Sequence, residues 1–173
     1  MRELYVAIRS RNPEQVRAIV EADPSLAIFA AAMQGDTERI EALLAGNRSL
    51  VSAISSDGWT PLHLAAHFGR GDAARILINK GADVAARSAN AMANVPLHAA
   101  AAGRSVEVAK LLMQRGASPN ARQNGDTELA RALVESGADV NVRADNQQTP
   151  LDLALTKGQQ AMVDFLETHG ASL

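Results

Sequence analysis

The 173-residue chain is 47% hydrophobic but only 3% aromatic, and its formal net charge is −2. Small apolar side chains favour helices packed closely on helices over a β-rich fold, and this near-neutral charge gives no electrostatic reason to expect a nucleic-acid or anionic-membrane partner. Because the chain has no cysteine, disulfides, thiolate metal sites and a cysteine nucleophile are excluded.

Targeting segments are not expected either. The chain has no run of 18 apolar residues, which predicts that no segment spans a membrane. Its charged beginning does not resemble a signal peptide. The cysteine-free composition suits a reducing compartment, so we expect a cytoplasmic protein.

The first predicted unit, residues 1–23, is a pair of helices. Asn12 is a helix N-cap and Pro13 stands at the first helical position, where its missing N–H costs nothing. An apolar stripe at helical spacing follows within residues 16–20. No turn loop precedes this pair, which is typical of an N-terminal cap repeat with a polar outer face.

The second unit spans residues 24–56. An alanine-rich helix is predicted over residues 28–34, and Gly35 ends it. Asp36 then caps a second helix, because its carboxylate can accept a free backbone N–H of the first turn.

The third unit, residues 57–88, has the clearest pattern. Asp57-Gly58 is a turn dipeptide, and its glycine can adopt a positive φ. Thr60 is a helix N-cap and Pro61 occupies the first helical position. The sequence therefore predicts a turn, a cap and a short helix, followed by a second helix.

The same signal recurs in the fourth unit, residues 89–121, and in the last unit, residues 144–173. In the fourth unit Val95 replaces the capping threonine, and the turn over residues 88–94 is two residues longer than a 33-residue period allows. The last unit begins its first helix with Thr149-Pro150 and is expected to act as the C-terminal cap repeat.

Repeats of about 33 residues with the core Thr60-Pro61-Leu62-His63-x-Ala65 resemble the ankyrin-repeat family. The resemblance covers most of the chain. It implies an all-α fold, a solenoid of stacked helix pairs joined by β-turn loops. It also implies that His63 and His98 make structural hydrogen bonds that brace the turn loops of adjacent repeats.

One unit, residues 122–143, is too short. Gly116 and Gly137 are 21 positions apart, 12 fewer than a 33-residue period, and the shortfall of a turn loop and a first helix falls near Gln123-Asn124. Three explanations stay open: an engineered or natural deletion, residues absent because they are disordered, or a degenerate unit completed by rearrangement or by a partner chain. We expect residues 121–130 to form the least stable joint, and a homodimer by exchange of terminal units is possible there; otherwise we expect a monomer.

The sequence predicts no catalytic or metal chemistry. His63 and His67 have the i, i+4 spacing of zinc ligands, but no acidic residue accompanies them at a compatible helical spacing. Phosphate-binding glycine loops and a nucleophile elbow are absent from the sequence. We therefore expect no metal, no cofactor and no enzyme activity.

The remaining signal is a set of candidate partner-binding residues on units three and four. By motif position in the family, turn tips and the exposed side of the first helix line a concave groove. Tryptophan and arginine are enriched among binding hot spots. The residues assigned to this surface are Trp59, His67, Phe68, Arg70, Met92, Asn94 and Arg104.

These residues predict a non-catalytic module that binds another protein, of unidentified kind, through the concave groove and the turn tips. Two alternatives stay open. One is an engineered or deletion-variant repeat scaffold without a natural partner. The other is an accessory or inhibitor subunit of an enzyme.

Overall fold

The structure is a computed structural model that describes residues 1–117, 134, 139–141, 143 and 147–172. Every regular element in these residues is helical, which confirms the all-α prediction. The four helices of the first two units are α1 Arg2–Arg9, α2 Pro13–Ala22, α3 Ala27–Gln34 and α4 Thr37–Gly46, with single 3-10 turns at Pro24–Leu26 and Arg48–Ser52. The later helices are α5 Pro61–His67, α6 Gly71–Asn79, α7 Pro96–Ala102, α8 Val106–Gln114, α9 Pro150–Thr156 and α10 Gln160–Thr168.

Helices begin where the capping residues were predicted. The Oδ1 atom of Asn12 accepts the N–H of Gln15 at 3.0 Å, and the hydroxyl oxygen of Thr60 accepts the N–H of His63 at 3.4 Å. Asp36 caps α4 in the same way. These side chains satisfy backbone donors that a helix start otherwise leaves without a partner.

Stacking of the pairs in residues 1–117 produces two layers. The inner helices α1, α3, α5 and α7 contact one another in order, and on the outer side α4 packs against α6 and α6 against α8. A single cluster of buried side chains runs through this stack, from Leu4 to Ala117. Helix α3 is apolar on all sides, and its residues 27–33 are each at most 7% exposed.

The last two helices have a smaller core of their own. Five side chains of α9 and α10 are buried together: Leu151, Ala154, Met162, Val163 and Leu166. The end of α10 is tied to the preceding turn, because the side-chain amide of Asn141 donates to the Gly170 carbonyl oxygen at 2.9 Å and its Oδ1 accepts the Ser172 N–H at 2.8 Å.

Two predictions from the sequence concern the short unit and membrane-spanning segments. Most of the short unit predicted at 122–143, including the weak joint at 121–130, lies outside the described residues. For the described residues, none of the helices is long and apolar enough to cross a membrane.

Candidate functional site

Two turn loops of different length lie beside the predicted surface. In the first, the Ser55 N–H donates to the Trp59 carbonyl oxygen at 2.9 Å. In the second, the Ser88 N–H donates to the Asn94 carbonyl oxygen at 2.7 Å. These pairs are four and six positions apart, so the second loop is longer by the two residues that the sequence predicted. The additional backbone is accommodated by Ala93, whose φ of +46° is left-handed.

The long loop rests directly on the shorter one. The Ala89 N–H donates to the Gly58 carbonyl oxygen at 2.8 Å, and the side-chain amide of Asn90 donates to the Asp57 carbonyl oxygen at 3.0 Å. A Cβ atom on Gly58 would lie only 2.8 Å from the Asn90 nitrogen, and the φ of Gly58 is +84°. Only glycine satisfies both the left-handed backbone and this close approach.

The His63 side chain connects the same two loops through hydrogen bonds of its ring. Its side chain is fully buried, its Nδ1 lies 2.8 Å from the Thr60 hydroxyl, and its Nε2 lies 2.9 Å from the Asn94 carbonyl oxygen. A carbonyl accepts only, so Nε2 carries the proton and Nδ1 accepts from the threonine hydroxyl. Burial lowers the pKa of His63, which favours this neutral form.

The brace that the family resemblance implied is therefore confirmed at His63. At His98, Nδ1 accepts the Val95 N–H at 3.4 Å. Val95 has no hydroxyl, so it cannot donate a side-chain hydrogen bond to His98 as Thr60 does to His63. The loop that His98 would brace lies outside the described residues.

Four side chains form a continuous series of ring contacts, which we call the aromatic row: Tyr5, Phe68, His67 and Trp59. The ring centroids of Tyr5 and Phe68 are 5.9 Å apart in a stacked arrangement. Those of Phe68 and His67 are 5.3 Å apart, and those of His67 and Trp59 are 5.5 Å apart, both edge to face. Each of the four side chains is only partly buried, so the row keeps an exposed apolar side.

Tyr5 is the member that sequence reasoning missed. It belongs to unit one, yet its ring stacks on Phe68 of unit three, across the intervening unit. Burial of its hydroxyl, together with the charge of the nearby Asp57 carboxylate, raises the Tyr5 pKa. The available signal was that Tyr5 is the only tyrosine in the chain.

His67 lies at the centre of the row and at the end of α5. The Nδ1 atom of its ring is buried without a partner among the described residues. Burial, and then the charge of Arg9, lower the His67 pKa. A Cβ atom on Gly103 would lie 1.9 Å from the His67 carbonyl oxygen, so glycine at 103 lets α5 and α7 approach each other.

The other predicted residues lie around the row rather than in it. The Nε atom of Arg70 donates to the Met33 carbonyl oxygen at 2.8 Å, which ties unit three to unit two. Met92 lies at the tip of the long loop and is 60% exposed. Arg104 is exposed just beyond α7, with a φ of +53°. The structure thus brings Trp59, His67 and Phe68 together and leaves Arg70, Met92 and Arg104 outside their ring contacts.

The histidine pair does not form a metal site. Both ring nitrogens of His63 are occupied, by Thr60 and by Asn94. Across the part of the chain that the structure describes, no three His, Cys, Asp or Glu side chains converge as metal ligands.

Known protein families match this chain over most of its length. A family model described as ankyrin repeats in three copies matches residues 4–88 and 28–123. A second, described as ankyrin repeats in many copies, matches residues 119–167.

Individual relatives share this similarity. The Neurogenic locus Notch protein of Drosophila melanogaster is 38% identical over 111 residues, which cover 61% of this chain and 4% of that protein. A putative ankyrin repeat protein of Rickettsia felis is 33% identical over 138 residues, 69% of this chain and 60% of the relative. The B-cell lymphoma 3 protein homolog of Mus musculus is 29% identical over 178 residues, 89% of this chain and 40% of the relative.

The chain therefore spans less than two thirds of each of these three relatives. What it shares with them is the repeat itself. The family matches extend from residue 4 to residue 167, and the chain belongs to the ankyrin-repeat family.

Proposed function

We propose that the chain is a non-catalytic module that binds a protein partner through the concave groove and turn tips of units three and four. Ankyrin repeats generally mediate protein–protein interaction and are typically non-catalytic. The observation that carries the proposal is the aromatic row, a continuous and partly exposed apolar surface next to the long loop.

The chemistry of the row suits a binding hot spot. Trp59 and Tyr5 are large, stiff side chains of the kind that contribute most to binding energy in protein interfaces. They already contact Phe68 and His67, so their rotamers lose little further freedom on binding.

The adjacent loop supplies a second, peripheral contact. Met92 is a flexible and polarizable side chain at the loop tip, suited to irregular partner surfaces. The loop that carries it is ordered in advance through Asn90 and Asn94, which lowers the entropic cost of binding.

Affinity capture from a lysate of the source organism tests this proposal. The intact chain is compared with a Trp59→Ala/Phe68→Ala variant and with Met92→Ser, and circular dichroism checks that each is folded. A captured partner is then purified and titrated against each protein by calorimetry. We expect the double variant to bind at least about 30-fold more weakly, since a hot-spot residue contributes about 2 kcal/mol or more.

Leu155→Ser is the matched control, because Leu155 is also a large exposed hydrophobic side chain, 46% exposed, but lies in the last unit. Equal affinity for all four proteins would contradict the proposed surface. Failure to capture any partner would favour the scaffold alternative instead.

Two further expectations are proposals of the same kind. We propose a cytoplasmic location, supported by the cysteine-free composition, which cell fractionation tests. Exchange of terminal units near the short repeat would give a homodimer, which sedimentation velocity distinguishes from a monomer.

A further inference from the structure

An apolar furrow opens on the outer side of the first two units. Outer helix α4 packs against α6 and α6 against α8, but α2 packs on α1 and α3 and scarcely contacts α4. The resulting hollow is lined by α2, α3 and the start of α4 and has a volume of about 320 Å³. An adjoining hollow of about 330 Å³ continues it towards α1.

The floor of this furrow is apolar. Val16 and Val20 of α2 line one side, and Ala27, Ala30 and Ala31 of α3 line the bottom. The three alanines are at most 7% exposed, so the furrow is narrow. It therefore admits individual side chains of a ligand rather than a broad surface.

The walls of the furrow are cationic, although the whole chain carries a net charge of −2. Arg17 and Arg39 line the first hollow, and Arg11 and Arg70 line the adjoining one. Asp36 is the single carboxylate among the described residues that line the two hollows. Its Oδ1 already accepts the backbone N–H of Arg39 at 2.9 Å. Four arginines thus line the furrow beside a single carboxylate, and the Nε atom of one of them, Arg70, donates to the Met33 carbonyl oxygen.

The glutamates of α2 and α4 do not line the furrow. All four are exposed and border neither hollow: Glu14, Glu21, Glu38 and Glu41. Arginine forms paired hydrogen bonds with carboxylates more readily than lysine does. A ligand that combines carboxylates with apolar side chains therefore complements both the walls and the floor.

We propose that this furrow binds an acidic, extended segment of a protein partner, with apolar side chains over Val16 and Ala30 and carboxylates on Arg17 and Arg39. This site lies on the outer side of the repeats and does not share a residue with the aromatic row. Arg70, which the sequence assigned to the concave groove, lines only the adjoining hollow. The part of the furrow at Arg17 and Arg39 can therefore be occupied independently of the aromatic row.

A display library of random short peptides tests the proposal on the full chain. The library is selected in parallel on the intact chain and on an Arg17→Glu/Arg39→Glu variant. We expect the peptides that bind only the intact chain to be rich in Asp and Glu with interspersed apolar residues. An Arg2→Glu/Arg75→Glu variant carries the same charge change on exposed arginines elsewhere and should select the same peptides as the intact chain.

A selected peptide with a fluorescein label then gives the affinity by anisotropy. We expect about tenfold weaker binding to the Arg17→Glu/Arg39→Glu variant and weaker binding at high salt, because exposed charge pairs are screened. The Trp59→Ala/Phe68→Ala variant should retain the peptide, which separates this site from the concave groove. Amide shifts in NMR spectra should map to Val16, Val20 and Ala30.

Any one of four results would overturn the proposal. The selections could yield no peptides that depend on Arg17 and Arg39, or such peptides could lack an excess of acidic residues. The amide shifts could map to the aromatic row, or sedimentation could show a dimer that the Arg17→Glu/Arg39→Glu variant does not form, which would mean that a second copy of the chain covers the furrow.

Discussion

The joint between units three and four differs from the joint between units one, two and three in what holds it together. Units three and four meet at what we call the loop joint, where backbone groups of the adjacent loops bond directly and the His63 side chain fills the space beneath them. Units one, two and three meet at what we call the side-chain joint. There, besides the packing of α1, α3 and α5, the links are the stacking of Tyr5 on Phe68 and the hydrogen bond from Arg70 to Met33.

This difference explains where open surface is found. Backbone contacts at the loop joint require a close fit, so the two loops and the ends of α5 and α7 lie in direct contact. Long side chains at the side-chain joint span greater distances and leave space beside them. The outer furrow at α2 and the Tyr5–Phe68 end of the aromatic row both lie at the side-chain joint. We therefore expect the loop joint to tolerate substitution poorly and the side-chain joint to adapt.

The largest expected effect is that of Gly103→Ala at the loop joint. The added Cβ atom would lie 1.9 Å from the His67 carbonyl oxygen, where α5 and α7 must separate to admit it. Since Gly103 does not have a positive φ, the whole cost is steric. We expect the free energy of unfolding to fall by about 3 kcal/mol, as measured by urea unfolding followed through the fluorescence of Trp59.

Gly71→Ala provides the control for this experiment. Gly71 begins α6, and a Cβ atom there would meet nothing within 4 Å. Alanine favours a helix more than glycine does, so this variant should be unchanged or stabilised by up to about 1 kcal/mol. If the two variants lose similar stability, close packing at Gly103 is not what holds the loop joint.

A smaller effect is expected from pH, again at the loop joint. Burial lowers the pKa of His63 below its usual 6.5, so the unfolded chain takes up a proton there before the folded chain does. Its contribution to stability is complete above pH 6.5 and is lost as the pH falls from 6.5 towards the folded-state pKa, by at most about 1.4 kcal/mol per pH unit.

His63→Gln removes this titrating group and should flatten the dependence of unfolding free energy on pH below 6.5. Urea unfolding of both proteins across this range measures the difference. Parallel pH profiles would show that His63 is not held in its neutral form by the fold.

The smallest effect is expected at the side-chain joint, from Tyr5→Phe. The ring and its stacking on Phe68 are retained, and only the polar contact of the hydroxyl with the nearby Asp57 carboxylate is lost. We expect a loss of about 1 kcal/mol and faster hydrogen exchange in α1, with no change in α7. A loss as large as that of Gly103→Ala would contradict the adaptable character of this joint.

The sequence predicted the elements because their signals are local. A cap such as Thr60 acts on the N–H groups of its own helix, and the two-residue excess in the loop over residues 88–94 is visible from spacing alone. The brace at His63 followed from the family resemblance, which is carried by adjacent residues of one motif.

The tertiary structure decided what depends on residues far apart in the chain. Tyr5 of unit one stacks on Phe68 of unit three, and Arg70 bonds to Met33 of the preceding unit.

The furrow also depends on residues far apart in the chain, since it arises from the separation of α2 and α4. Periodicity in the sequence records which face of a helix is apolar, but it does not record how far apart two outer helices lie. The sequence by itself thus determined the helices, caps and repeats, while packing between units decided which of their side chains remain accessible to a partner.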